Sequence, residues 1–209
     1  MASRPAWSVR DGQVTKQMFE FSWNGGFAYV QTQKNVKALH DTITACHGEQ
    51  ALEVSSKSDS ELGRKLGAFS LRLGEFSLEN VFQAAKKYEF GGPYEELLLL
   101  TPKEAKTDER HHTSGKLQCF VHEKFEWPLE PKTAFYDYIY VKAVIENFGY
   151  ELNLKEYQWF TDIVFNPNKS INCQARSIAL YKLLQSEKQF EVLDNREMWL
   201  DFHAKHVSD

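Results

Sequence analysis

A carboxylate, an amide and an amine recur at helical spacing along residues 76–88, as Glu79, Gln83 and Lys86. At positions i, i+4 and i+7 of one helix these side chains share a face. Such a face can line a site in which the carboxylate stabilises positive charge and the amine moves a proton. The same residues also suit a solvated helix, because an acid in the first turn and a lysine near the end complement the helix dipole. The residue types alone leave both interpretations open.

Signals on either side of this segment predict the elements that position it. Ser77 is a favourable N-cap residue and Gly91-Gly92-Pro93 stops a helix, so we expect a helix over residues 78–88. Upstream, apolar residues alternate over 69–73 before Gly74, which predicts a short strand. The helix is therefore expected to follow a strand directly.

The whole chain predicts a mainly helical α+β fold with a small N-terminal β-sheet. A strand pair around a Gly25-Gly26 turn is expected over residues 17–31, and a short strand over residues 52–54. Periodicity further predicts a strand pair over residues 117–127 and helices over residues 34–46, 133–148, 154–160, 172–185 and 188–204. No repeat or linker divides the chain, so we expect a single domain.

Composition and charge exclude several classes of protein. The chain has 209 residues, 42% of them hydrophobic, which suffices for one compact core. Its net charge of −4 excludes a broad basic face that tracks duplex grooves, but permits recognition of one nucleotide or a short single strand. Three separated cysteines, no signal-like apolar stretch and no run of ~20 apolar residues predict a cytoplasmic protein outside the membrane.

The sequence contains none of the common patterns that hold a metal or a nucleotide cofactor. Its seven histidines include no H-E-x-x-H pair, and there is no Gly-rich phosphate loop and no G-x-S-x-G segment. His111 and His112 lie in a polar stretch that is typical of a surface. We therefore expect chemistry without a metal and without a resident cofactor.

The order Ser-x-Glu-x-x-Phe-Gln-Ala-x-Lys over residues 77–86 resembles the signature helix of the NADAR (YbiA-like) superfamily. Members of that superfamily carry Ser-Glu-His-x-Phe-Gln-Ala-x-Lys after a Ser-Asn-Phe strand. Here Asn80 stands in place of the histidine, and the strand reads Gly67-Ala68-Phe69. The stretch Thr-Pro-Lys-Glu-Ala-Lys over residues 101–106 is similar to the family's Ser-Pro-x-x-Ala-Lys, and Trp127 matches the tryptophan that follows it.

The C-terminal half resembles one divergent branch of that superfamily. The usual Asp-x-x-Trp-Gly-x-Gly is absent, and residues 160–176 instead resemble NADAR antitoxins encoded beside DarT-type DNA ADP-ribosyltransferase toxins. Shorter matches at residues 55–58, 91–94 and 134–138 extend the similarity over residues 50–185. The expected single NADAR-like domain has three parts: an N-terminal extension with a strand pair and a helix (1–50), the family core (51–185) and a C-terminal helix (186–209).

The resemblance implies a hydrolase that removes ADP-ribose from guanine in DNA by cleaving an N-glycosidic bond, with a DNA ADP-ribosyltransferase toxin as cognate partner. Such bonds break through an oxocarbenium-like transition state, which a fixed carboxylate stabilises or traps; Glu79 is the first choice. Lys86 is expected to orient Glu79, to protonate the departing base or to form a Schiff base with an opened ribose, and Lys57 is a rival amine. Asp162 is a second carboxylate that can position water. Because a paired base is inaccessible inside a duplex, we expect a single-stranded or flipped substrate.

Six residues are expected to bind ADP-ribose or the base. They are Phe69, Gln83, Trp127, Asn166, Asn172 and Arg176. A guanidinium fork suits a pyrophosphate, amides suit a ribose or a base edge, and aromatic rings suit stacking. Structural alternatives remain open for three of them, namely a turn at Asn166, a helix cap at Asn172 and a core position for Trp127.

Two other functions fit the same sequence. NADAR relatives include N-glycosidases that act on phosphorylated riboflavin-pathway intermediates, and the helix motif does not separate the two activities. An antitoxin can also neutralise its toxin by binding alone, without catalysis. The altered C-terminal motif favours the antitoxin branch, and the retention of Glu79, Gln83 and Lys86 together favours catalysis.

Overall fold

A computed structural model describes residues 1–26, 28–166, 170–171 and 173–207 of the chain. The strands are β1 (Ala2–Arg10), β2 (Gln13–Phe21), β3 (Gln50–Glu53), β4 (Arg72–Leu73), β5 (Phe76–Ser77), β6 (Lys86–Tyr88), β7 (Leu117–His122), β8 (Phe125–Trp127) and β9 (Tyr157–Thr161). The α-helices are α1 (Tyr29–His47), α2 (Glu61–Lys65), α3 (Leu78–Ala84), α4 (Pro102–Lys106), α5 (Arg110–Thr113), α6 (Ala134–Phe148), α7 (Gln174–Glu187) and α8 (Arg196–His206). Short 3-10 helices lie at Glu95–Leu99 and Phe190–Asp194.

The N-terminal strand pair lies earlier in the chain than its sequence suggested. β1 and β2 form an antiparallel hairpin whose turn is Asp11-Gly12, with φ of 49° and 70°. Asp-Gly is a favoured pair for a two-residue turn that needs positive φ at both positions. The predicted strand pair around Gly25-Gly26 is therefore wrong, since those glycines lead from β2 into α1.

The main sheet has the strand order β2-β1-β9-β3 and is covered on both faces. On one face α1 packs through Leu39 and Ile43 against Phe19 and Trp159. The other face packs against α7 and, beyond it, α6, which together form the main core. Since β3 is parallel to β9, while β1 is antiparallel to both β2 and β9, the C-terminal ends of β2, β3 and β9 meet at one edge. We call this the carboxyl edge of the sheet.

A strand replaces the helix predicted over residues 154–160. β9 occupies Tyr157–Thr161, and its consecutive residues Trp159 and Phe160 are buried in the two different cores on opposite faces of the sheet. Successive side chains of this strand point to opposite faces of the sheet, and both faces are covered. Both sets of side chains are therefore apolar, and such a continuous apolar run cannot be distinguished from a buried helix by its periodicity. The helix prediction for this segment is wrong.

The helix that carries Glu79 is shorter than predicted. α3 ends at Ala84, and Ala85 accepts a hydrogen bond from the backbone N of Val121 at 2.7 Å as β6 pairs with β7. Lys86 therefore opens a strand instead of closing a helix. The turn after β6 comes back closely onto this strand: a Cβ at Gly92 would lie 2.3 Å from the carbonyl oxygen of Lys86. Tertiary strand pairing thus overrides the local helical pattern.

The remaining elements confirm the fold class, a mainly helical α+β domain with a small N-terminal sheet. The helices predicted over residues 34–46, 133–148 and 172–185 correspond to α1, α6 and α7, and the strand pair over residues 117–127 to β7 and β8. The predicted strand over residues 69–73 shrinks to β4, because a turn precedes it. The predicted C-terminal helix is divided by Asn195, whose side chain caps α8.

Candidate active site

Glu79, Gln83 and Lys86 form a continuous chain of side-chain hydrogen bonds. Gln83 Nε2 donates to Glu79 Oε1 at 2.7 Å, and Lys86 Nζ donates to Gln83 Oε1 at 2.5 Å. Glu79 and Gln83 are only 5% and 4% exposed. Ser77 begins α3 by accepting a hydrogen bond from the backbone N of Asn80, which fixes the first helical turn. The structure thus brings together the carboxylate, amide and amine as their spacing predicted, even though Lys86 lies on a strand.

Lys86 has an environment that weakens its hold on a proton. Burial, helped by the positive charge of Lys106, lowers the pKa of Lys86 to about 8. The nearby negative charge of Glu79 acts in the opposite direction but does not outweigh burial. Its ammonium lies 5.0 Å from the ring centroid of Phe82. An amine with this pKa exchanges protons near neutral pH, which an ordinary surface lysine does not do.

Lys106 is a second amine at the site, and the sequence analysis did not single it out. Its Nζ lies 3.6 Å from Glu79 Oε1 and 5.6 Å from the ring centroid of Phe69. The helix α4 that carries it begins with a capping box between Thr101 and Glu104. The only sequence signal was the position of Lys106 at the end of the family-like stretch over residues 101–106.

Asn80, which replaces the histidine of the superfamily motif, links α3 to the segment that leads into α4. It is 2% exposed, and its Nδ2 donates to the carbonyl oxygens of Leu97 and Leu100, both at 2.7 Å. Leu100 immediately precedes the N-cap of α4. Asn80 therefore fixes the distance between α3 and the helix that presents Lys106.

The loop after β9 is connected to Glu79 through one amide side chain. Gln174 Nε2 donates to Asp162 Oδ2 at 3.0 Å, and the backbone N of Ala68 donates to Gln174 Oε1 at 2.7 Å. The backbone N of Glu79 in turn donates to the carbonyl oxygen of Ala68 at 3.3 Å. Gln174 thus joins the Asp162 loop, the turn that carries Phe69 and the start of α3. The sequence offered no signal for this role of Gln174.

Asp162 and Glu53 form a buried carboxylate pair at the carboxyl edge. Burial raises the pKa of Asp162, and the charge of Glu53 raises it further; burial likewise raises the pKa of Glu53. The oxygens of Asp162 accept hydrogen bonds from Gln174 and from the backbone N of Val164 and Phe165. The hydrogen bonds of Asp162 therefore hold the loop after β9 in place. Its role in positioning water stays a prediction.

Tyr136 on α6 lies within the electrostatic influence of Glu79 and Asp162, and the sequence analysis did not predict it as a site residue. Its ring meets Phe82 edge-on, with centroids 5.1 Å apart, and it is 6% exposed. Burial raises the pKa of Tyr136. The negative charge of Glu79 raises it further, and that of Asp162 has a smaller effect in the same direction. The phenol is therefore neutral. Its position within an apolar, helical pattern concealed it in the sequence.

Two residues of the predicted site are engaged elsewhere. Lys57 Nζ lies 4.9 Å from the ring centroid of Tyr29, and within the described chain it forms no ion pair with Glu79. Arg176 is 7% exposed and directs its guanidinium at Asp137, with Nε and Nη2 donating at 3.2 and 3.1 Å. The predicted roles of Lys57 as a catalytic amine and Arg176 as a pyrophosphate ligand stay predictions, and neither group contacts the Glu79 chain.

The other predicted binding residues divide into exposed, buried and undescribed positions. Phe69 is 54% exposed beside Lys106, as a stacking residue requires. Trp127 is 3% exposed and packs in the aromatic core, 4.4 Å from the ring centroid of Tyr138. Asn166 accepts a backbone hydrogen bond from Ser170 in the loop after β9. Asn172 lies outside the described residues.

Two surface clefts of the described chain lie away from Glu79, Gln83 and Lys86. One cleft of about 450 Å³ is lined by Trp127 and Tyr138, and another of about 640 Å³ is lined by Val81 and Ala85 on the other side of α3. In the part of the chain that the structure describes, no group of three His, Cys, Asp or Glu side chains could hold a metal ion. The described residues also include no helix with the length and apolarity to cross a bilayer. We therefore place the candidate site at the hydrogen-bonded group of Glu79, Gln83 and Lys86, and not at the largest cleft described above.

The fold and the site together define a protein of the NADAR superfamily, an α+β domain in which one short helix presents a carboxylate, an amide and a following lysine. The family model described as the DarT1-associated NADAR antitoxin matches residues 2–209, and the chain belongs to this family. The match includes β1, β2 and α1, which the short sequence similarities did not cover. A comparison with curated proteins gave no significant match.

Proposed function

We propose that the chain is a metal-independent N-glycosidase that releases ADP-ribose from ADP-ribosylated guanine in single-stranded DNA, and so counteracts the toxin of its pair. The observation that carries this proposal is the hydrogen-bonded chain from the buried Glu79 through the buried Gln83 to the partly buried Lys86. Burying a carboxylate and an amine in one hydrogen-bonded chain is costly, and clusters of perturbed ionisable groups are typical of catalytic sites. A protein that only bound its toxin would not require this arrangement.

In the proposed reaction, the bond between ribose C1 and the guanine nitrogen breaks and both electrons pass to the nitrogen. The ammonium of Lys86 supplies the proton that the departing base takes up. The carboxylate of Glu79 stabilises the positive charge that develops on C1 and the ring oxygen. A water molecule then adds to C1 and gives up one proton, which Glu79 accepts and releases to solvent, and Lys86 takes up one proton from solvent to restore its charge. The net change is the addition of one water molecule across the glycosidic bond.

The pKa of about 8 at Lys86 sets the expected pH dependence of the reaction. As proton donor, Lys86 must be protonated, so the single-turnover rate constant is expected to be level below this pKa and to fall by about tenfold per pH unit above it. Lys86→Arg, whose side chain stays protonated, is expected to abolish the fall while lowering the maximal rate. A rate constant that rises through this pH range would instead identify Lys86 as a neutral nucleophile and contradict its role as donor.

The direct test is to incubate the protein with a short single-stranded DNA that carries one ADP-ribosylated guanine, and to measure free ADP-ribose and unmodified DNA as products. Equal amounts of both products, formed over many turnovers, are the expected result. An inactive but folded protein that binds the cognate toxin tightly would contradict catalysis and support neutralisation by binding. Cleavage of phosphorylated riboflavin intermediates, without cleavage of the DNA, would contradict the substrate.

A further inference from the structure

Three exposed aromatic rings each lie beside a cation around the carboxyl edge of the main sheet. The pairs, with the distance from the cationic centre to the ring centroid, are Arg4 and Trp23 (5.2 Å), Lys57 and Tyr29 (4.9 Å), and Lys106 and Phe69 (5.6 Å). The three aromatic residues are 41%, 44% and 54% exposed, respectively. We call these six residues the aromatic–cation surface. Each pair offers a flat apolar face next to a positive charge.

The topology of the sheet accounts for the position of the first two pairs. Arg4 lies near the start of β1, and Trp23 follows the end of β2, which is antiparallel to β1. Tyr29 begins α1, and Lys57 follows the end of β3. The hydroxyl of Tyr29 donates to the carbonyl oxygen of Ser56 at 3.4 Å, which ties α1 to the loop after β3.

The loop after β9 connects these pairs to the third one. Arg4 Nε donates to the carbonyl oxygen of Ile163 at 3.5 Å. The neighbouring Asp162 is joined through Gln174 to Ala68, the residue before Phe69. The aromatic–cation surface is therefore continuous with the turn beside Glu79, and not a set of unrelated surface contacts.

The charge of this edge differs from that of the whole chain, whose net charge is −4. Around the six residues, the described stretches 1–6, 21–26, 28–32, 54–58, 66–71, 163–166 and 173–176 contain no Asp or Glu. The nearby acids Glu53, Asp162 and Glu79 are at most 5% exposed. Exposed acids flank the surface in sequence: Asp59 and Glu61 follow Lys57, and Glu104 precedes Lys106. Glu61 is paired with Lys65, and Glu104 accepts a hydrogen bond from Thr101. The edge therefore presents a local excess of positive charge, which attracts phosphates.

We propose that the aromatic–cation surface binds the single-stranded DNA that flanks the modified base. Bases stack on Trp23, Tyr29 and Phe69, while backbone phosphates lie against the neighbouring cations. Stacking on aromatic rings tolerates any base, so the surface holds a strand without reading its sequence. This inference rests on the proposed function for placing the modified base at Glu79. It adds that the preferred substrate is a base within a strand, and not a free nucleoside.

Binding of an unmodified, fluorescein-labelled DNA strand tests this proposal by fluorescence anisotropy. Tyr29→Ala is expected to weaken binding of a strand of about 12 nucleotides between roughly fivefold and a hundredfold, because one base loses its stacking partner. The matched control is Tyr150→Ala, which removes another exposed tyrosine at the opposite end of α7 and is expected to leave binding unchanged. Arg4→Gln is expected to reduce the slope of log affinity against log salt by about 0.7, as one phosphate contact is lost.

The outcomes separate the surface from the reaction. Because the labelled DNA strand carries no ADP-ribose, its binding does not depend on the glycosidase activity. Release of ADP-ribose from ADP-ribosylated guanosine tests the reaction in the absence of a strand. Absence of binding at low salt, or equal losses in Tyr29→Ala and Tyr150→Ala, would overturn the proposal. Much tighter binding of an RNA strand of the same sequence would reassign the surface to RNA. A Tyr29→Ala variant that keeps its DNA affinity but loses the toxin would reassign it to the toxin.

Discussion

Replacing Glu79 with Gln is expected to lower the rate constant for ADP-ribose release from guanine-modified DNA by about a thousandfold or more. The substitution keeps the shape of the side chain but removes the negative charge that stabilises the developing oxocarbenium ion. The amide retains an oxygen that accepts the hydrogen bond from Gln83, so the buried position stays filled and partnered. The measurement is a single-turnover assay with saturating protein, so that weakened substrate binding does not lower the observed rate constant.

A matched control distinguishes catalysis from a general effect of charge removal. Glu126→Gln makes the same chemical change in β8, where Glu126 forms an exposed ion pair with Lys87 just as Glu79 lies beside Lys106. We expect this variant to retain the wild-type rate, because exposed ion pairs contribute little and Glu126 lies outside the site. If both variants lost activity equally, or if Glu79→Gln stayed fully active while folded, Glu79 would not be the catalytic carboxylate.

The sequence predicted the contact between Glu79, Gln83 and Lys86 more reliably than the secondary structure that carries Lys86. Helical spacing placed Glu79, Gln83 and Lys86 on one face, and their hydrogen bonds confirm that they meet. The helix nevertheless ends before Lys86, because β6 pairs with β7, and a pairing partner 30 residues or so along the chain leaves no local signal. The helix predicted over residues 154–160 was wrong because the strand there is buried on both faces, so its sequence lacks the alternation of polar and apolar residues that indicates a strand.

The parts of the site that sequence reasoning missed all depend on long-range contacts. Lys106 reaches Glu79 only because Asn80 fixes the segment before α4, and Gln174 contributes only because α7 begins beside the turn that carries Phe69. Nothing in the residue types at these positions distinguishes them from ordinary surface groups. Spacing within one element is readable from a sequence, whereas the approach of two elements is decided by packing over the whole core.

The second large effect is expected for Asp137, which lies at the centre of a fully buried polar network. Its carboxylate accepts from Arg176 at 3.1 and 3.2 Å, from Ser177 at 2.5 Å and pairs with His203 at 2.8 Å. Burial alone would raise the pKa of Asp137, but the charge of Arg176 and the hydrogen bond of His203 outweigh it and lower the pKa to about 2. Asp137→Ala leaves the Arg176 cation buried and unpaired, which costs about 3–5 kcal/mol in the free energy of unfolding. Urea-induced unfolding measures this loss.

The sign of the pH dependence provides an independent check on the same network. Because the pKa of Asp137 is depressed in the folded state, its contribution is fully present above the unfolded pKa of about 4 and is lost as the pH falls through about 2. The wild type is therefore expected to lose stability over this acidic range, and Asp137→Ala to lose less. Asp41→Ala, which breaks the exposed pair with Lys37, is the control and is expected to change stability by less than about 1 kcal/mol. Equal effects of the two substitutions would show that the buried network does not hold α6, α7 and α8 together.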